Sequence, residues 1–391
     1  MCGIAGIIWK DKQRINREAF KRAAMLIQHR GPDYTGSYRD ERVELIHHRL
    51  SILDLDPRSH QPFYNREKNK ILIYNGEIYN YKELIQKYEL NTHTTSDTEV
   101  LSQLFSTRGS AVLPELNGIF AFAHYDKKNK ELTLVRDRFG VKPLYYFEND
   151  SFLIFASEAK VILNYLDQFS LNFQTLSEYL WFGSSISSQT LIEGLKKLSP
   201  GAILQYNLQE DHYSLQPYWS IEKEILSRQN KDSYGTAIKV TRNLLDQGIR
   251  RQCISDVPVG AYLSGGIDSS TVVALASRHT NGKLNTYSVD FDVDDGGGSE
   301  LPLARQIARK FGANHHEFQV ATTHLEEDIE SIVFQYDEPF ADPAALPLHL
   351  MAKACKSMSR VVLQGDGGDE VFAGYGRHLD LSQYQLRKHI S

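Results

Sequence analysis

Cysteine is scarce in this sequence of 391 residues, which holds only Cys2, Cys253 and Cys355. Three cysteines so far apart do not indicate a disulfide framework, and we expect a protein of the reducing cytoplasm. No apolar run approaches the ~20 residues that span a bilayer, and no basic segment with a long apolar stretch opens the chain. The net charge of −5 gives no basic excess. We therefore expect neither a membrane nor a nucleic-acid partner.

The sequence does have two regions with different residue patterns, and each region is long enough to form its own hydrophobic core. Residues 1–220 alternate short apolar runs with turn residues, which predicts an α+β domain of antiparallel sheets with flanking helices. Residues 233–391 repeat strand, loop and helix, which predicts an α/β domain with a parallel sheet. The polar stretch SIEKEILSRQNKDSYG is the expected linker.

The elements of the first domain can be placed from its pattern. Helices are expected at 17–28 and 96–107. The second helix begins S-D-T-E, a capping box in which Ser96 and Glu99 each satisfy a free amide. Strands are expected at 3–9, 43–53, 70–74, 118–125, 131–136 and 152–157.

The opening MCGIAGII places a cysteine directly behind the initiator methionine. A small second residue permits removal of Met1, after which Cys2 carries both a thiol and a free α-amine. An unperturbed α-amine has a pKa of about 7.7–8.0, so near neutral pH it can accept a proton and activate its own thiol. The alternative is that a small residue at this position has no catalytic meaning.

A thiol nucleophile needs an oxyanion stabiliser and groups that hold the substrate. In YNGEIYN the strand is expected to end at Tyr74, so that a turn presents the Asn75 amide and the Gly76 N–H; a plain turn is the alternative. Arg49 and Asp97 supply a cation and an anion that match an amino-acid head group. For these two residues the alternatives are a surface ion pair and an acid that interacts with the helix dipole.

The motifs MCGIAGI, HRGPD, HHRLSILDL, YNGEIYN, SDTEV, LNGIFAFAHYD and RDRFGVKPLYY follow one another in this order. As a set they resemble class II glutamine amidotransferases, and most closely the glutamine-dependent asparagine synthetases. The resemblance implies that Cys2 attacks the side-chain amide of glutamine, forms a γ-glutamyl thioester and releases glutamate on hydrolysis. It also implies an oxyanion hole at Asn75 and Gly76, and glutamine held by Arg49, Glu77 and Asp97.

Two glycine-rich loops follow expected strands in the second domain. SGGIDSS, residues 264–270, lacks the G-K-[ST] of a Walker motif, but its glycines, hydroxyls and helix start can bind phosphate. Asp268 in that loop would repel a polyanion, which predicts Mg²⁺ between the two. In QGDGGDEVFAGY, Asp366, Asp369 and Glu370 form a second acidic cluster. One carboxylate from each strand end suits a magnesium pyrophosphate at the edge of a parallel sheet.

Both loops resemble those of the ATP pyrophosphatase domain in the asparagine synthetase family. The resemblance implies a ligase in which ATP adenylates a carboxylate, first of all aspartate, and ammonia then displaces AMP to give the amide, asparagine. It places Leu263 and Val289 by the adenosine, and it assigns Mg²⁺ to Asp268 and Asp369. The other implied ATP-site residues are Ser264, Gly265, Gly266, Ser269, Ser270, Gly365 and Asp366.

Two departures from the family leave alternatives open. Gln364-Gly365-Asp366 stands where the family often has Ser-Gly-Glu, and versions with glycine-aspartate are linked to surface-sugar synthesis, so a sugar-acid carboxylate is an alternative acceptor. The family also continues past GYGRH into a long helical segment, so we expect a C-terminally truncated second domain with an impaired synthetase site. The chain is then, alternatively, a non-synthesising glutaminase or interaction protein. A homodimer is a candidate assembly.

Overall fold

The computed structural model describes residues 1–227, 232–280, 282–291, 299–320, 324–376 and 378. The chain divides into two units, Met1–Lys231 with Glu330–Asp342, and Asp232–Ile329 with Pro343–Ser391. Residues 330–342 therefore belong to the first unit, although the sequence on both sides of them belongs to the second. Part of the expected linker, residues 228–231, lies outside the described residues.

Two antiparallel sheets of six strands form the first unit, as the sequence predicts. The strands are β1 (Gly3–Trp9), β2 (Tyr34–Arg39), β3 (Val43–Arg49), β4 (Phe63–Tyr64), β5 (Lys70–Ile78), β6 (Gly118–Asp126), β7 (Glu131–Arg136), β8 (Tyr145–Glu148), β9 (Phe152–Ala156), β10 (Lys196–Lys197), β11 (Ala202–Asn207) and β12 (His212–Pro217). One sheet has the order β10-β8-β9-β1-β3-β2 and the other β12-β11-β7-β6-β5-β4.

Strand β1 is buried on both faces. Ile4 and Ile8 pack in the core between the two sheets. Ile7 and Trp9, which point to the opposite face, pack in the core beneath the outer helices. Because alternate residues of a strand face opposite sides, a strand between two cores needs apolar residues throughout, which explains the run GIAGIIW.

Helices cover the outer faces of the two sheets. Phe20 and Val161, from the first and fourth helices, share a core with the outer face of β1, and the third helix packs on β5. The first unit is thus a four-layer αββα arrangement. Its helices are α1 (Arg17–Met25), α2 (Tyr81–Tyr88), α3 (Asp97–Arg108), α4 (Ala159–Tyr165), α5 (Phe173–Phe182) and α6 (Ile221–Ser227), with 3-10 turns at Lys12–Arg14, Gln28–Arg30, Pro57–Ser59 and Gly109–Glu115.

A four-stranded parallel sheet forms the centre of the second unit, as the sequence predicts. Its strands are β13 (Val259–Tyr262), β14 (Asn285–Phe291), β15 (Asn314–Val320) and β16 (Val361–Leu363), in the order β15-β14-β13-β16. The remaining helices are α7 (Tyr234–Gln252), α8 (Ile267–Ala276), α9 (Leu301–Phe311), α10 (Leu325–Tyr336), α11 (Ala345–Cys355) and α12 (Gly368–Phe372). None of the helices in the described part of the chain has the length and apolar character needed to cross a membrane.

The predicted capping box at the start of α3 forms only in part. Ser96 accepts a hydrogen bond from the Thr98 N–H at 3.2 Å, so the serine does cap the helix. Glu99 does not return a bond to Ser96. Its carboxylate accepts instead from the N–H groups of His93 and Thr94, at 2.9 and 2.7 Å. The N–H groups of residues before the helix thus use the Glu99 carboxylate that the capping box would have needed.

Two buried histidines predict how the first unit responds to acid. Burial lowers the pKa of His47 to about 3 and that of His124 to about 4. An unfolded chain protonates histidine below pH of about 6.5, so stability present above that pH is lost as the pH falls towards these values. Lowering the pH from 7.5 to 5 should therefore reduce the free energy of unfolding by about 2 kcal/mol for each histidine.

Urea unfolding at several pH values measures this slope. The variants His47→Asn and His124→Asn should each flatten it, whereas substitution of the exposed His212 should not. An unchanged slope in both buried variants would contradict the assignment.

Candidate functional site

Cys2 lies directly before β1, partly buried beside the residue that follows β3. Its Sγ is 3.8 Å from the Leu50 carbonyl oxygen and 3.4 Å from the Leu50 nitrogen. Burial raises the pKa of the Cys2 thiol above its usual value. The α-amine in this sequence belongs to Met1, and burial lowers its pKa to about 5. The chemistry expected of Cys2 therefore requires that Met1 be removed first.

Two cations that the sequence analysis did not single out lie at this terminus. The Arg30 Nε donates to the Cys2 carbonyl oxygen at 3.0 Å. Lys142, whose pKa burial lowers to about 8, places its Nζ 3.0 Å from the Met1 sulfur. Both residues lie in motifs that the sequence analysis quoted, HRGPD and RDRFGVKPLYY. A motif alone, however, does not reveal which of its residues contacts Met1 or Cys2.

Arg49, at the end of β3, is buried and does not form a surface ion pair. Its guanidinium donates to the backbone carbonyl oxygens of Leu53 and Asp56, both at 3.2 Å, and to that of Asp54. These carbonyls hold the guanidinium in place, and Asp54, Asp33 and Asp97 act on it as nearby negative charges. Burial raises the pKa of the Cys2 thiol and the positive charge of Arg49 acts in the opposite direction, so the two residues lie within electrostatic reach of each other.

Strand β5 does not end at Tyr74, as the sequence predicted, but continues to Ile78. Asn75 and Gly76 lie within the strand, opposite Ala121 and Phe120 of β6. The prediction of a turn was wrong because β6 offers a long antiparallel partner, and this pairing overrides the local Asn-Gly preference.

The Asn75 side chain is fully buried, and neither its Nδ2 nor its Oδ1 has a hydrogen-bond partner among the described residues. Leaving a buried polar group unpaired costs about 1–3 kcal/mol, so native proteins rarely do so without a reason. The amide is a hydrogen-bonding group left available to a ligand. Glu77, two residues along the same strand, raises the pKa of the Cys2 thiol through its negative charge. Because alternate residues of a strand share a face, β5 presents Asn75 and Glu77 on the same face, from which Glu77 acts on Cys2.

Asp97 fixes this part of β5 from the start of α3. Its Oδ2 accepts from the Tyr74 hydroxyl at 2.7 Å and from the Ile78 N–H at 2.8 Å. The two donors flank Asn75 and Glu77 in the sequence, so the carboxylate holds the strand on both sides of them. Asp97 is buried, and burial raises its pKa. Asp97 therefore does not only interact with the helix dipole, the alternative left open by the sequence, but also holds β5 in place.

In the second unit, two loops meet at the carboxyl edge of the parallel sheet. They follow β13 and β16, which are neighbours, whereas β14 pairs with the other side of β13. The chain first adds strands on one side of β13 and later returns to the other side. Ligands of open α/β sheets bind at such a reversal of strand order.

The two loops touch at Asp268. A Cβ added to Gly365 would lie 2.9 Å from the Asp268 Cβ, and one added to Gly368 would lie 2.6 Å from its Oδ2. The second loop approaches so closely because glycine occupies both positions. Asp369, which follows Gly368, is itself covered closely by Gly374, where a Cβ would lie 1.8 Å from its Oδ1. The structure therefore brings the two predicted magnesium ligands to one edge of the sheet.

The serines of the first loop are joined to one another. The Oγ atoms of Ser264 and Ser269 are 3.0 Å apart, and the Gly266 N–H donates to the Ser264 Oγ at 3.2 Å. The loop is turned at Gly265, whose φ of +91° favours glycine. The Ser270 Oγ is buried with no hydrogen-bond partner in the described part of the chain. Hydroxyls and amides are thus concentrated where phosphate was predicted.

The two residues predicted to contact adenosine, Leu263 and Val289, lie in different surroundings. The Leu263 side chain belongs to the core of the second unit, and its N–H donates to the Tyr287 carbonyl oxygen at 2.9 Å. Val289 lies on β14, partly exposed, opposite Phe318 of β15. Asp366 accepts from the Gln364 Nε2 at 2.5 Å.

The carboxylates fit a particular kind of magnesium site. Among the described residues, no three His, Cys, Asp or Glu side chains are grouped so that they could hold a metal ion by themselves. Mg²⁺ at nucleotide sites usually takes one or two carboxylates and completes its shell with substrate phosphates and water. Asp268 and Asp369 fit that arrangement and do not fit a metal held by protein ligands alone.

Comparisons with known proteins match two families to successive parts of the chain. Residues 1–219 match the family model of a glutamine amidotransferase domain, and residues 240–390 match that of asparagine synthase. The chain is 36% identical, over 97% of its length, to a Methanocaldococcus jannaschii protein named as a glutamine-hydrolysing asparagine synthetase, and it covers 76% of that protein. It is 34% identical, over 96% of its length, to glutamine-hydrolysing asparagine synthetase 1 of Bacillus subtilis. The chain spans only 59% of the latter's length.

A substitution at Gly76 tests how tightly β5 is packed. A Cβ there would lie 2.2 Å from the Ile119 carbonyl oxygen and 2.6 Å from the Phe120 Cα, both on the paired strand. Because backbone atoms cannot yield as a side chain does, Gly76→Ala should lower the free energy of unfolding by about 1–3 kcal/mol in a urea titration. The matched control is Gly248→Ala, where nothing lies within 4 Å of the new methyl group. Equal stability of the two variants would contradict the close packing at Gly76.

Proposed function

The chain belongs to the glutamine-hydrolysing asparagine synthetase family, and we propose that its first unit releases ammonia from glutamine with Cys2 as the nucleophile. The observation that carries this proposal is the buried Asn75 amide, which has no hydrogen-bond partner among the described residues and lies on the strand whose Glu77 acts on the Cys2 thiol. A donor kept free in a water-poor site is what a developing oxyanion requires.

The proposed reaction begins once Met1 has been removed. The α-amine of Cys2 takes the thiol proton, and the sulfur adds to the side-chain carbonyl carbon of glutamine. Asn75 Nδ2 and the Gly76 N–H donate to the oxygen that becomes negative. The amine returns the proton to the leaving nitrogen, ammonia departs, and a γ-glutamyl thioester remains. Water then hydrolyses the thioester to glutamate and restores the thiol.

The residues around Cys2 suit the head group of an amino acid. Arg49 is a buried cation whose guanidinium donates to backbone carbonyl oxygens, and a substrate carboxylate would give it a direct ionic partner. Glu77 and Asp97 are the acids for the substrate ammonium. Asp97 has Oδ2 already bonded to β5, so its main part in this proposal is to hold the strand that carries Asn75.

For the second unit we propose ATP-dependent activation of a carboxylate, first of all aspartate. The loop of Ser264, Gly265, Gly266, Ser269 and Ser270 would bind the pyrophosphate part of ATP with its amides and hydroxyls. Asp268 and Asp369 would hold Mg²⁺, which when bound neutralises charge on the phosphates. Ammonia then displaces AMP from the acyl-adenylate to form the amide.

Substitutions at Cys2 and Asn75 test the first reaction. Cys2→Ala should abolish glutamate release from glutamine, because no nucleophile remains. Asn75→Ala should lower kcat by about 10²–10³-fold, the usual effect of losing one oxyanion donor. It should leave stability nearly unchanged, because the amide has no partner to lose among the described residues.

Cys253→Ala is the matched control, since that cysteine is also partly buried and free. Intact-mass measurement establishes whether Met1 has been removed. Full activity in a protein that keeps Met1, or in the Cys2→Ala variant, would refute the proposed nucleophile.

Pyrophosphate release, assayed with ATP, Mg²⁺ and ammonium, tests the second reaction. Release that aspartate stimulates and Asp268→Asn abolishes supports asparagine synthesis. The control Asp246→Asn, which removes an acid paired with His279 in the same unit, should retain activity. Pyrophosphate release only with a sugar acid would identify a sugar-acid carboxylate as the acceptor. The observation that favours this acceptor is Asp366, which stands where the family often has the longer glutamate. No release with any acid would leave a glutaminase or interaction protein.

A further inference from the structure

Four buried charges of alternating sign form a continuous line inside the first unit. Asp337 Oδ1 is 2.9 Å from Lys160 Nζ, which also contacts the Glu158 carboxylate. Glu158 Oε1 is 2.7 Å from an Arg30 nitrogen. Arg30 Nε in turn donates to the Cys2 carbonyl oxygen at 3.0 Å. The line therefore begins at Asp337 and ends on the backbone of the proposed nucleophile.

Local structure places each member of this line. Arg30 ends the 3-10 turn Gln28–Arg30. Glu158 and Lys160 stand at the start of α4, and Asp337 directly follows α10. Asp337 holds Lys160 twice, because its Oδ2 also accepts the Lys160 backbone N–H at 3.3 Å. The segment that carries Asp337 belongs to the first unit, so every contact in the line lies within that unit.

Burial makes the four charges depend on one another. The exposed fractions of their side chains are 4% for Asp337, 8% for Lys160, 6% for Glu158 and 8% for Arg30. Away from water, a charge that loses its partner is strongly unfavourable, so neighbours move to compensate it. His29 adds a further contact to Glu158, with Nε2 at 3.1 Å, but its side chain is 43% exposed. A change at Asp337 therefore reaches Arg30 through Lys160 and Glu158.

Cys2 is unusually sensitive to such a change. After removal of Met1 it is a terminal residue, joined to the fold through a single peptide bond. A hydrogen bond to its carbonyl group then restricts rotation about its own backbone and so fixes where Sγ and the α-amine point. Positioning to a fraction of an ångström governs the rate of a reaction between bound groups.

We propose that Asp337 and Lys160 are positioning residues that hold Cys2 in its reactive geometry through Glu158 and Arg30. This inference rests on the proposed glutamine hydrolysis and deepens it. It assigns a part in the first reaction to a segment that the sequence analysis placed in the second domain.

Asp337→Asn keeps the shape of the side chain and removes its charge. Lys160 is then left to Glu158 alone and draws that carboxylate away from Arg30. We expect kcat for glutamine hydrolysis to fall at least about tenfold, with KM within about twofold, because the substrate holders Arg49 and Glu77 are untouched.

The matched control is Glu44→Gln, which breaks an ion pair of the same unit between a buried acid and a partly exposed arginine. Glu44 is 1% exposed and lies 3.0 Å from Arg17, whose other hydrogen bonds go to the carbonyl oxygens of Asp40 and Glu41. This control should keep kcat within about twofold of the parent. Both variants are compared below their melting temperatures, so that loss of fold does not enter the rates. Equal effects of the two substitutions on kcat would overturn the proposal.

A double variant distinguishes the loss of Cys2 positioning from a nonspecific disturbance of the structure. In Lys160→Met with Asp337→Asn, both outer charges are gone and Glu158 is free to return to Arg30. We expect this double variant to be faster than Asp337→Asn alone, within about threefold of the parent. Lys160→Arg, which keeps the charge, should also retain most of the rate. A double variant as slow as or slower than the single one would contradict the line of contacts.

Alkylation of Cys2 by iodoacetamide, followed on the Cys2 peptide by mass spectrometry across pH, needs no substrate. Loss of the Asp337 charge leaves one net positive charge on the line and should move the alkylation profile to lower pH, because a cation favours the thiolate. The charged groups that already act on this thiol are the terminal α-amine, Glu77, Arg49 and Lys142. An unmoved profile with Asp337→Asn would count against the proposal. Absence of Cys2-dependent glutamate release in the parent would refute the proposed function, while alkylation still decides the positioning role.

Discussion

The antiparallel register between β1 and β3 is the constraint on which the first site depends. Gly3 pairs with His48, so Cys2, one residue before β1, comes next to Arg49 and Leu50 at the other end of the ladder. A slip of one residue would turn Ile4 and Ile8 out of the core between the sheets and Ile7 and Trp9 out of the core below the helices. Because both cores are apolar, it is the close packing of differently shaped side chains in each core that fixes where a single thiol is placed.

Short-range patterns in the sequence identified the elements that carry the chemistry. The apolar run after Cys2, the Ser96 cap of α3 and the alternation of strand and helix after residue 233 were all visible, because each depends on neighbours in the chain. The continuation of β5 through Asn75 was not, since the partner strand begins at Gly118. Likewise, nothing local joins Lys160 to Asp337, which are 177 residues apart. Where a contact is long-range, the local sequence pattern can indicate that a residue is important but cannot identify the residue it contacts.

The two sites use backbone in different ways. In the first unit, side chains gather around a strand, and an amide on that strand is kept without a partner among the described residues. In the second unit, the site lies at loops, where Gly365 and Gly368 let one loop rest against Asp268 of the other. The reversal of strand order at β13 and β16 explains why two acidic loops far apart in the sequence reach the same edge. Sheet topology, and not proximity in the sequence, assembles each constellation.

The return of residues 330–342 to the first unit limits how this chain can be divided. Lys197 is paired with Glu338 at 2.8 Å, and Lys160 with Asp337, so a fragment that stopped at the linker would take one carboxylate partner from each lysine. The first unit is therefore not encoded by one continuous stretch of the sequence. A version of that unit expressed by itself would have to include residues 330–342.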